Sequence, residues 1–77
     1  MMADTTVKET FVPRSSSNIA SATYDPDDQT LEIEFNSGET YSYANVPQSI
    51  YSGLTAASST GQFFYRYIRS NYAYERV

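Results

Sequence analysis

The feature of the sequence that most constrains its fold is an alternating segment, residues 30–35, followed by a glycine-containing turn. Leu31, Ile33 and Phe35 alternate with threonine and glutamate, which is typical of a strand with one face in a core and the other in water. Residues 36–38 then favour a hairpin. The tyrosine-rich segment after the turn is predicted to be the return strand, and it leads directly into a helix start.

The length of this turn decides which way the tyrosines of the return strand face. A two-residue loop would place Tyr41 and Tyr43 on the wet face, beside the glutamates of the preceding strand. A three-residue loop with Gly38 in a left-handed conformation pairs Ile33 with Tyr41 and Leu31 with Tyr43, so that both tyrosines join the core face. We predict the three-residue loop, because the alternative sets small hydroxyl side chains against three large apolar ones. A slip of one residue would invert every side chain.

The segments before the hairpin predict one more strand and an acidic turn. Residues 19–24 form the predicted strand, although their alternation does not identify the inward face. Residues 25–29 form the turn, in which Pro26 presets φ and aspartate side chains bond neighbouring amides. A calcium loop is disfavoured there, because the sixth and twelfth positions lack the glycine and glutamate that such a loop needs.

Two helices are predicted after the hairpin. Pro47 suits the first helical position of a helix near 47–57, and Gly53 within it lowers the stability by about 1 kcal/mol relative to alanine. The apolar residues of this helix recur at helical spacing, at Ile50, Tyr51, Leu54 and Ala57.

The second predicted helix, at 60–71, opens with a capping box formed by Ser59 and Gln62. Its inward row is Phe64, Ile68 and Tyr72, and Phe63 with Tyr67 forms a neighbouring row. We therefore predict an α+β fold, a three-stranded antiparallel sheet (β-β-β) followed by two helices packed on one face. The predicted structural core motif is Leu31, Ile33, Phe35, Gly38, Tyr41, Tyr43, Pro47, Phe64, Ile68 and Tyr72.

The ends of the chain carry little periodicity. Residues 1–14 are predicted to be a mobile N-terminal tail, and residues 15–77 a single domain. Residues 73–77 are predicted either to fray or to pair with the sheet. The N-terminus lacks the charged start and apolar run of a signal peptide, and no stretch is long enough to span a membrane, so we expect a cytoplasmic protein.

The composition excludes several kinds of chemistry. Cysteine and histidine are absent, which removes disulfides, thiolate and histidine catalysis, and the usual zinc ligands. Glu32 and Glu34 lie side by side on an exposed strand face, where no cleft would perturb a pKa. The serine clusters have no histidine to activate them. We predict that the protein is not an enzyme and binds no metal or other cofactor.

The charge distribution points to one candidate binding surface. Residues 1–39 hold eight acids and two bases, a net charge of −6, whereas residues 40–77 hold one acid and three arginines, a net charge of +2. Arginines with interleaved aromatics can contact phosphates and stack on single-stranded bases. The predicted binding residues are Tyr65, Arg66, Arg69, Tyr74 and Arg76. Alternatively, Tyr72 belongs to the core, Tyr65 and Tyr74 are partly exposed, and the arginines pair with Glu75 or are solvated.

The ordered series of motifs resembles the KTSC domain family. It comprises Ser16-Ser17-Asn18-Ile19, Tyr24-Asp25, Leu31-Glu32-Ile33-Glu34-Phe35 with Gly38, the hallmark Tyr-x-Tyr at Tyr41-Ser42-Tyr43, and Val46-Pro47. Ile50-Tyr51, Leu54, Ala57, Ser58, Gly61, Phe63-Phe64, Ile68 and Tyr72 continue it, so that the resemblance covers about residues 15–74.

The resemblance implies a small module that occurs at the C-terminus of some lysyl-tRNA synthetases and as a stand-alone bacterial or phage protein. An RNA-binding role has been suggested for the family through that association. We expect a non-enzymatic binding module that contacts RNA through its Arg/Tyr surface. The alternative is a protein-interaction or self-associating module, in which case a homo-oligomer forms through the same aromatic surface.

Overall fold

A computed structural model describes residues 7–14, 16 and 18–77, which form one antiparallel sheet and two helical regions. The strands are β1 (Glu9–Phe11), β2 (Ile19–Asp25), β3 (Thr30–Phe35), β4 (Thr40–Tyr43) and β5 (Tyr74–Arg76). The helices are α1 (Gln48–Ala56) and α2 (Thr60–Phe63), and α2 continues into a π-helical segment (Phe64–Ile68).

The sheet has five strands in the order β1-β2-β3-β4-β5, so the prediction of three strands was wrong. The three predicted strands form its centre, and one three-residue strand adds to each edge. Neither added strand is long enough to show an alternating pattern. At the C-terminal end, the predicted alternative in which the last residues pair with the sheet is confirmed, since β5 pairs with β4.

At the N-terminal end, β1 lies inside the segment predicted to be a tail. Phe11 is opposite Ala22 of β2, and Pro13 is buried. Ordered structure therefore begins ahead of residue 15, whereas residues 1–6 lie outside the described part of the chain. The predicted domain boundary at residue 15 itself stays a prediction.

The central hairpin has the predicted three-residue loop. Gly38 has a φ of +100°, and its amide donates to the Phe35 carbonyl at 2.9 Å. Leu31 is opposite Tyr43 and Ile33 is opposite Tyr41, which confirms the predicted register. Both tyrosines therefore lie on the same face as the buried leucine and isoleucine.

Strand β2 presents Ala22 and Tyr24 to the core, which settles the inward face that its sequence left open. A register shift between Ile19 and Ser21 also buries Ile19. In the acidic turn that follows, the Asp25 carboxylate accepts the amides of Asp27 and Asp28 at 3.0 and 3.3 Å. This confirms the predicted role of an aspartate in organising the turn.

Helix α1 begins one residue later than predicted. Pro47 has φ −70° and ψ 155°, so it lies just outside the helix, and its carbonyl accepts the amides of Ile50 and Tyr51. The prediction that Pro47 is the first helical residue was therefore wrong. Gly53 has a packing role beyond its low helix propensity, because an added Cβ would lie only 2.6 Å from Cζ of Phe63.

The second helical region begins as predicted and ends early. The Ser59 hydroxyl accepts a hydrogen bond from the backbone amide of Gln62 at 3.3 Å, which is one half of the predicted capping box. The α-helical part ends at Phe63. The π-helical segment that follows has a widened turn, which is closed by the Arg69 backbone amide donating to the Phe64 carbonyl at 2.9 Å. Phe64 and Ile68 are buried, and Tyr72 is half-buried against the core.

The core lies between the helices and one face of the sheet. It consists of Ile19, Ala22, Tyr24, Leu31, Ile33, Tyr43, Val46, Tyr51, Leu54, Phe64 and Ile68. Of the predicted core motif, Phe35, Tyr41 and Tyr72 are only partly buried against this cluster, Pro47 is half-buried and Gly38 is exposed.

Candidate functional site

An open cleft of about 890 Å³ separates the second helical region from the β4–β5 end of the sheet. We name it the aromatic cleft, after the rings that line it: Phe35, Tyr41, Tyr43, Phe64, Tyr65 and Tyr74. Its polar lining is Asn18, Asn36, Ser37, Glu39, Arg69 and Ser70. The volume is within the range of about 300–1,000 Å³ that is usual for ligand sites.

The floor of the aromatic cleft is a set of rings in mutual contact. Phe35 makes edge contacts with Tyr41 and Phe64, with ring centroids 5.7 and 5.5 Å apart. Tyr43 makes a similar contact with Phe64 at 5.6 Å. These offset and edge geometries are the favoured ones for aromatic pairs, so the floor is well packed.

Tyr74 of β5 covers part of this floor. Its ring stacks on Tyr41 with centroids 5.3 Å apart and planes within 3°, and it also contacts Tyr43 at 5.4 Å. Because Tyr74 is opposite Tyr43 in the β4–β5 pairing, all three tyrosines share one face of the sheet. Tyr74 remains 57% exposed, and it therefore offers ring surface to the cleft.

The helical wall of the cleft carries Tyr65 and Arg69, one helical turn apart. The Arg69 guanidinium carbon lies 4.8 Å from the centroid of the Tyr65 ring, a cation–π contact. Tyr65 is 64% exposed. Both residues lie at or beside the π-helical segment, a kind of turn that is frequent at functional sites.

A second open cleft of about 530 Å³ adjoins the first along the start of α2. We name it the polar cleft; Ser16, Asn18, Ser59, Gly61, Tyr65 and Arg66 are among the residues that line it. Arg66 is exposed there. The structure thus divides the two predicted helical arginines between neighbouring clefts.

The predicted site residues are brought together only in part. Tyr65, Arg69 and Tyr74 line the aromatic cleft, and Arg66 lines the polar cleft. Arg76 is opposite Tyr41 in the sheet and shares its face, although it is not part of the lining of either cleft.

The polar rim of the aromatic cleft was not predicted from the sequence. The Asn36 side-chain amide donates to the backbone carbonyl of Ser16 at 3.1 Å. The backbone amide of Asn36 donates to the backbone carbonyl of Asn18 at 2.7 Å. These bonds hold the segment before β2 against the central hairpin loop. No local pattern marks the asparagines, because their common position depends on two segments that are distant in sequence.

Burial shapes the ionisation of Tyr43 on the floor of the cleft. Burial, followed by the neighbouring Tyr74 and Tyr41, raises the pKa of Tyr43 to about 12, and Arg69 acts in the opposite direction. The Tyr43 hydroxyl is therefore protonated at neutral pH. The site thus combines stacking surface, hydroxyl and amide groups and one guanidinium, which are groups suited to binding.

The described residues contain no group of three or more potential ligand side chains that could hold a metal ion. None of the helices formed by residues 7–14, 16 and 18–77 is long and apolar enough to cross a bilayer.

Comparison with known proteins identifies related sequences and a related structure. The sequence model of the KTSC domain family matches residues 15–72 of this chain. A crystal structure of a KTSC domain protein from Yersinia pestis superposes with a TM-score of 0.82 at 35% identity, covering 92% of this chain and 99% of that one.

Among curated relatives, an uncharacterised protein of Stutzerimonas stutzeri is 39% identical over 67 residues, which are 86% of this chain and 94% of that protein. A lysine–tRNA ligase of Nostoc sp. is 41% identical over 54 residues, which are 70% of this chain. This match spans only 10% of the ligase, so the similarity concerns one small segment of it.

Proposed function

The chain belongs to the KTSC domain family, and from this membership we propose that it is a non-enzymatic module that binds single-stranded RNA in the aromatic cleft. The observation that carries the proposal is the convergence of Tyr65, Arg69 and Tyr74 on one cleft. Two of these are exposed tyrosines, and the third is an arginine in contact with one of them.

The chemistry of the cleft matches an unpaired nucleotide strand. Aromatic side chains stack on bases with about 1–3 kcal/mol per base, and this stacking tolerates any base. A duplex hides the faces of its bases, whereas a single strand offers them. Arg69, already held over Tyr65, is placed to contact a phosphate beside a stacked base.

The acidic net charge of −4 does not oppose this proposal, because the acids lie mainly elsewhere. Ser42 of β4 is opposite Glu32 of β3 and opposite Glu75 of β5, and all three lie on the sheet face away from the helices. Glu34 lies on the same open face, where it accepts from the Ser21 hydroxyl at 3.3 Å. Glu39 is the acid that lines the aromatic cleft. With few arginines available, we expect modest, salt-sensitive affinity.

The similarity to a segment of a lysine–tRNA ligase also supports an RNA ligand. The relative in question is named for a reaction on transfer RNA. A domain that accompanies such an enzyme and also occurs in proteins of its own size, such as the Stutzerimonas relative, is suited to binding rather than catalysis.

The test is a binding titration of a fluorescently labelled, unstructured RNA against the full chain, repeated over a series of salt concentrations. We expect Arg69→Ala to weaken binding about tenfold and to lower the salt slope by about 0.7, the value for one phosphate contact to a single strand. Lys8→Ala is the matched control. It also removes one positive charge, but from a position beside Asp25 and Glu32, away from both clefts.

Equal effects of the two substitutions would show that any binding is non-specific attraction. An absence of binding at low salt would refute the RNA proposal outright.

A second candidate function is protein interaction or self-association. It is favoured by the exposed Tyr67, whose ring lies 4.7 Å from that of the partly buried Phe63, and by the position of β5 at the sheet edge. Tyrosine and arginine are enriched at interface hot spots, and an edge strand offers free backbone groups. A molar mass that rises with concentration in light scattering would support this candidate.

A further inference from the structure

The aromatic cleft and the polar cleft meet along a shared wall. Asn18, Gly61 and Tyr65 line both of them. Two clefts that share three lining residues are adjacent compartments of one surface depression, with Tyr65 between them.

Gly61 lies on this shared wall, and it keeps the wall low. A Cβ built on Gly61 would lie 3.9 Å from the Ser16 hydroxyl oxygen and 4.0 Å from Nδ2 of Asn18, which is ordinary contact. A methyl group would therefore fit, but a longer side chain would project into the space between the compartments. The φ of Gly61 is not in the left-handed region, so the backbone does not require glycine here. What the glycine provides is space.

Each compartment carries one arginine. Arg69 lines the aromatic cleft and Arg66 lines the polar cleft, and the two are three residues apart at the π-helical segment. The described residues that line the polar cleft include no acid. Two cations in succession along a groove, with an exposed ring between them, complement a polyanion whose bases can stack.

We propose that the two clefts form one groove that holds a continuous single strand, with its backbone passing over Gly61 and a base on Tyr65. The ligand class is therefore an internal stretch of RNA rather than a mononucleotide or a dinucleotide. This inference rests on the function proposed above, and it adds the length of the bound strand and its path across the two clefts.

The experiment compares the affinities of a dinucleotide and an eight-nucleotide RNA of the same composition. The full chain should bind the longer RNA more than about tenfold more tightly, because it gains at least one more stacked base or phosphate contact. Gly61→Leu should reduce this ratio towards one, and Gly61→Ala should reduce it less. Leucine is a good helix former, so the substitution should not unfold α2, and a circular dichroism melt checks this.

Arg66→Ala provides a second test that does not depend on the backbone at Gly61. It should weaken binding of the eight-nucleotide RNA and change the affinity for the dinucleotide much less, since the shorter ligand fills only the aromatic cleft. Lys8→Ala is again the charge-matched control, and it should leave the ratio of affinities as it is in the unsubstituted chain.

The outcomes separate the two proposals. If Arg69→Ala weakens binding but neither Gly61→Leu nor Arg66→Ala changes the ratio, the continuous groove is refuted and the RNA site in the aromatic cleft stands. If the two RNAs bind equally well to the unsubstituted chain, the continuous groove is also refuted. If neither RNA binds at low salt, both proposals fail together.

Discussion

Two groups of tyrosines in this molecule have the same side chain and opposite surroundings. Tyr24 and Tyr43 are 0% and 2% exposed, and Tyr51 is also buried, whereas Tyr65, Tyr67 and Tyr74 are exposed. The buried group lies between the sheet and the helices. The exposed group lies on the second helical region and on the edge strand. Position relative to the sheet, rather than residue type, therefore decides whether a tyrosine stabilises the fold or offers a contact surface.

The buried group shows what a hydroxyl needs in a core. The Tyr24 ring stacks on Tyr51 with centroids 4.9 Å apart and planes within 11°, and its hydroxyl donates to the Val46 carbonyl. A buried tyrosine is tolerated when its hydroxyl has such a partner. The hydroxyls of the exposed tyrosines need no such partner within the protein, because water can supply it.

The largest difference between the groups should appear on truncation. Tyr24→Ala should lower the free energy of unfolding by about 3–5 kcal/mol, because it leaves a cavity and an unpaired Val46 carbonyl. The matched change Tyr65→Ala should cost less than about 1 kcal/mol, since that ring is mostly solvated. Urea unfolding of the two variants measures both values. Similar losses would mean that burial does not distinguish the two groups.

The second prediction concerns alkaline pH, at which the buried tyrosines should lower the stability of the fold. Tyrosines of the unfolded chain titrate near pH 10, whereas burial raises the pKa of Tyr43 to about 12 and also raises the pKa values of Tyr24 and Tyr51. The folded state thus keeps protons that the unfolded state has lost. The stabilising contribution is complete below pH 10 and disappears as the pH rises through the folded pKa of about 12.

This pH dependence can be followed by denaturant unfolding at increasing pH, with tyrosinate absorbance recorded on the folded protein. Tyr43 should contribute to this absorbance only near a pH of about 12, and Tyr43→Phe should remove that last rise. The same substitution should flatten the pH dependence of the unfolding free energy. An unfolding free energy that stays constant up to strongly alkaline pH would contradict the prediction.

The smallest of the three effects should follow removal of one hydroxyl. Tyr24→Phe keeps the stacked ring and deletes the bond to the Val46 carbonyl, so it should cost about 0.5–1.5 kcal/mol. Tyr65→Phe is the control and should be neutral within about 0.5 kcal/mol. A neutral Tyr24→Phe would show that the carbonyl finds another partner once the hydroxyl is gone.

The core-facing side of the tyrosines on the return strand could be predicted from the sequence, because the prediction needed only local information. The alternation of Leu31, Ile33 and Phe35 and the position of Gly38 together specify the loop length, and the loop length specifies the register. Tyr43 then has to face the core. The exposed position of Arg66 and Arg69 likewise follows from helical spacing relative to Phe64 and Ile68.

The edge strands β1 and β5 could not be predicted in the same way. Each has three residues, too few for a period to appear, and each is ordered by pairing with a strand distant in sequence. The packing reason for Gly53 was also hidden, since the contact with Phe63 joins two helices. The widened turn at Phe64–Ile68 has no local signature either.

The sequence by itself therefore determined the central hairpin, the order of the three central strands and the two helical regions, and the residue types of the candidate site. Only the tertiary structure decided that the sheet has five strands and that Tyr74 stacks on Tyr41 beside Tyr65 and Arg69. The physical reason is the range of the interactions. Alternation, turn geometry and capping act between neighbouring residues, whereas a cleft forms where strands and helices far apart in the chain come into contact.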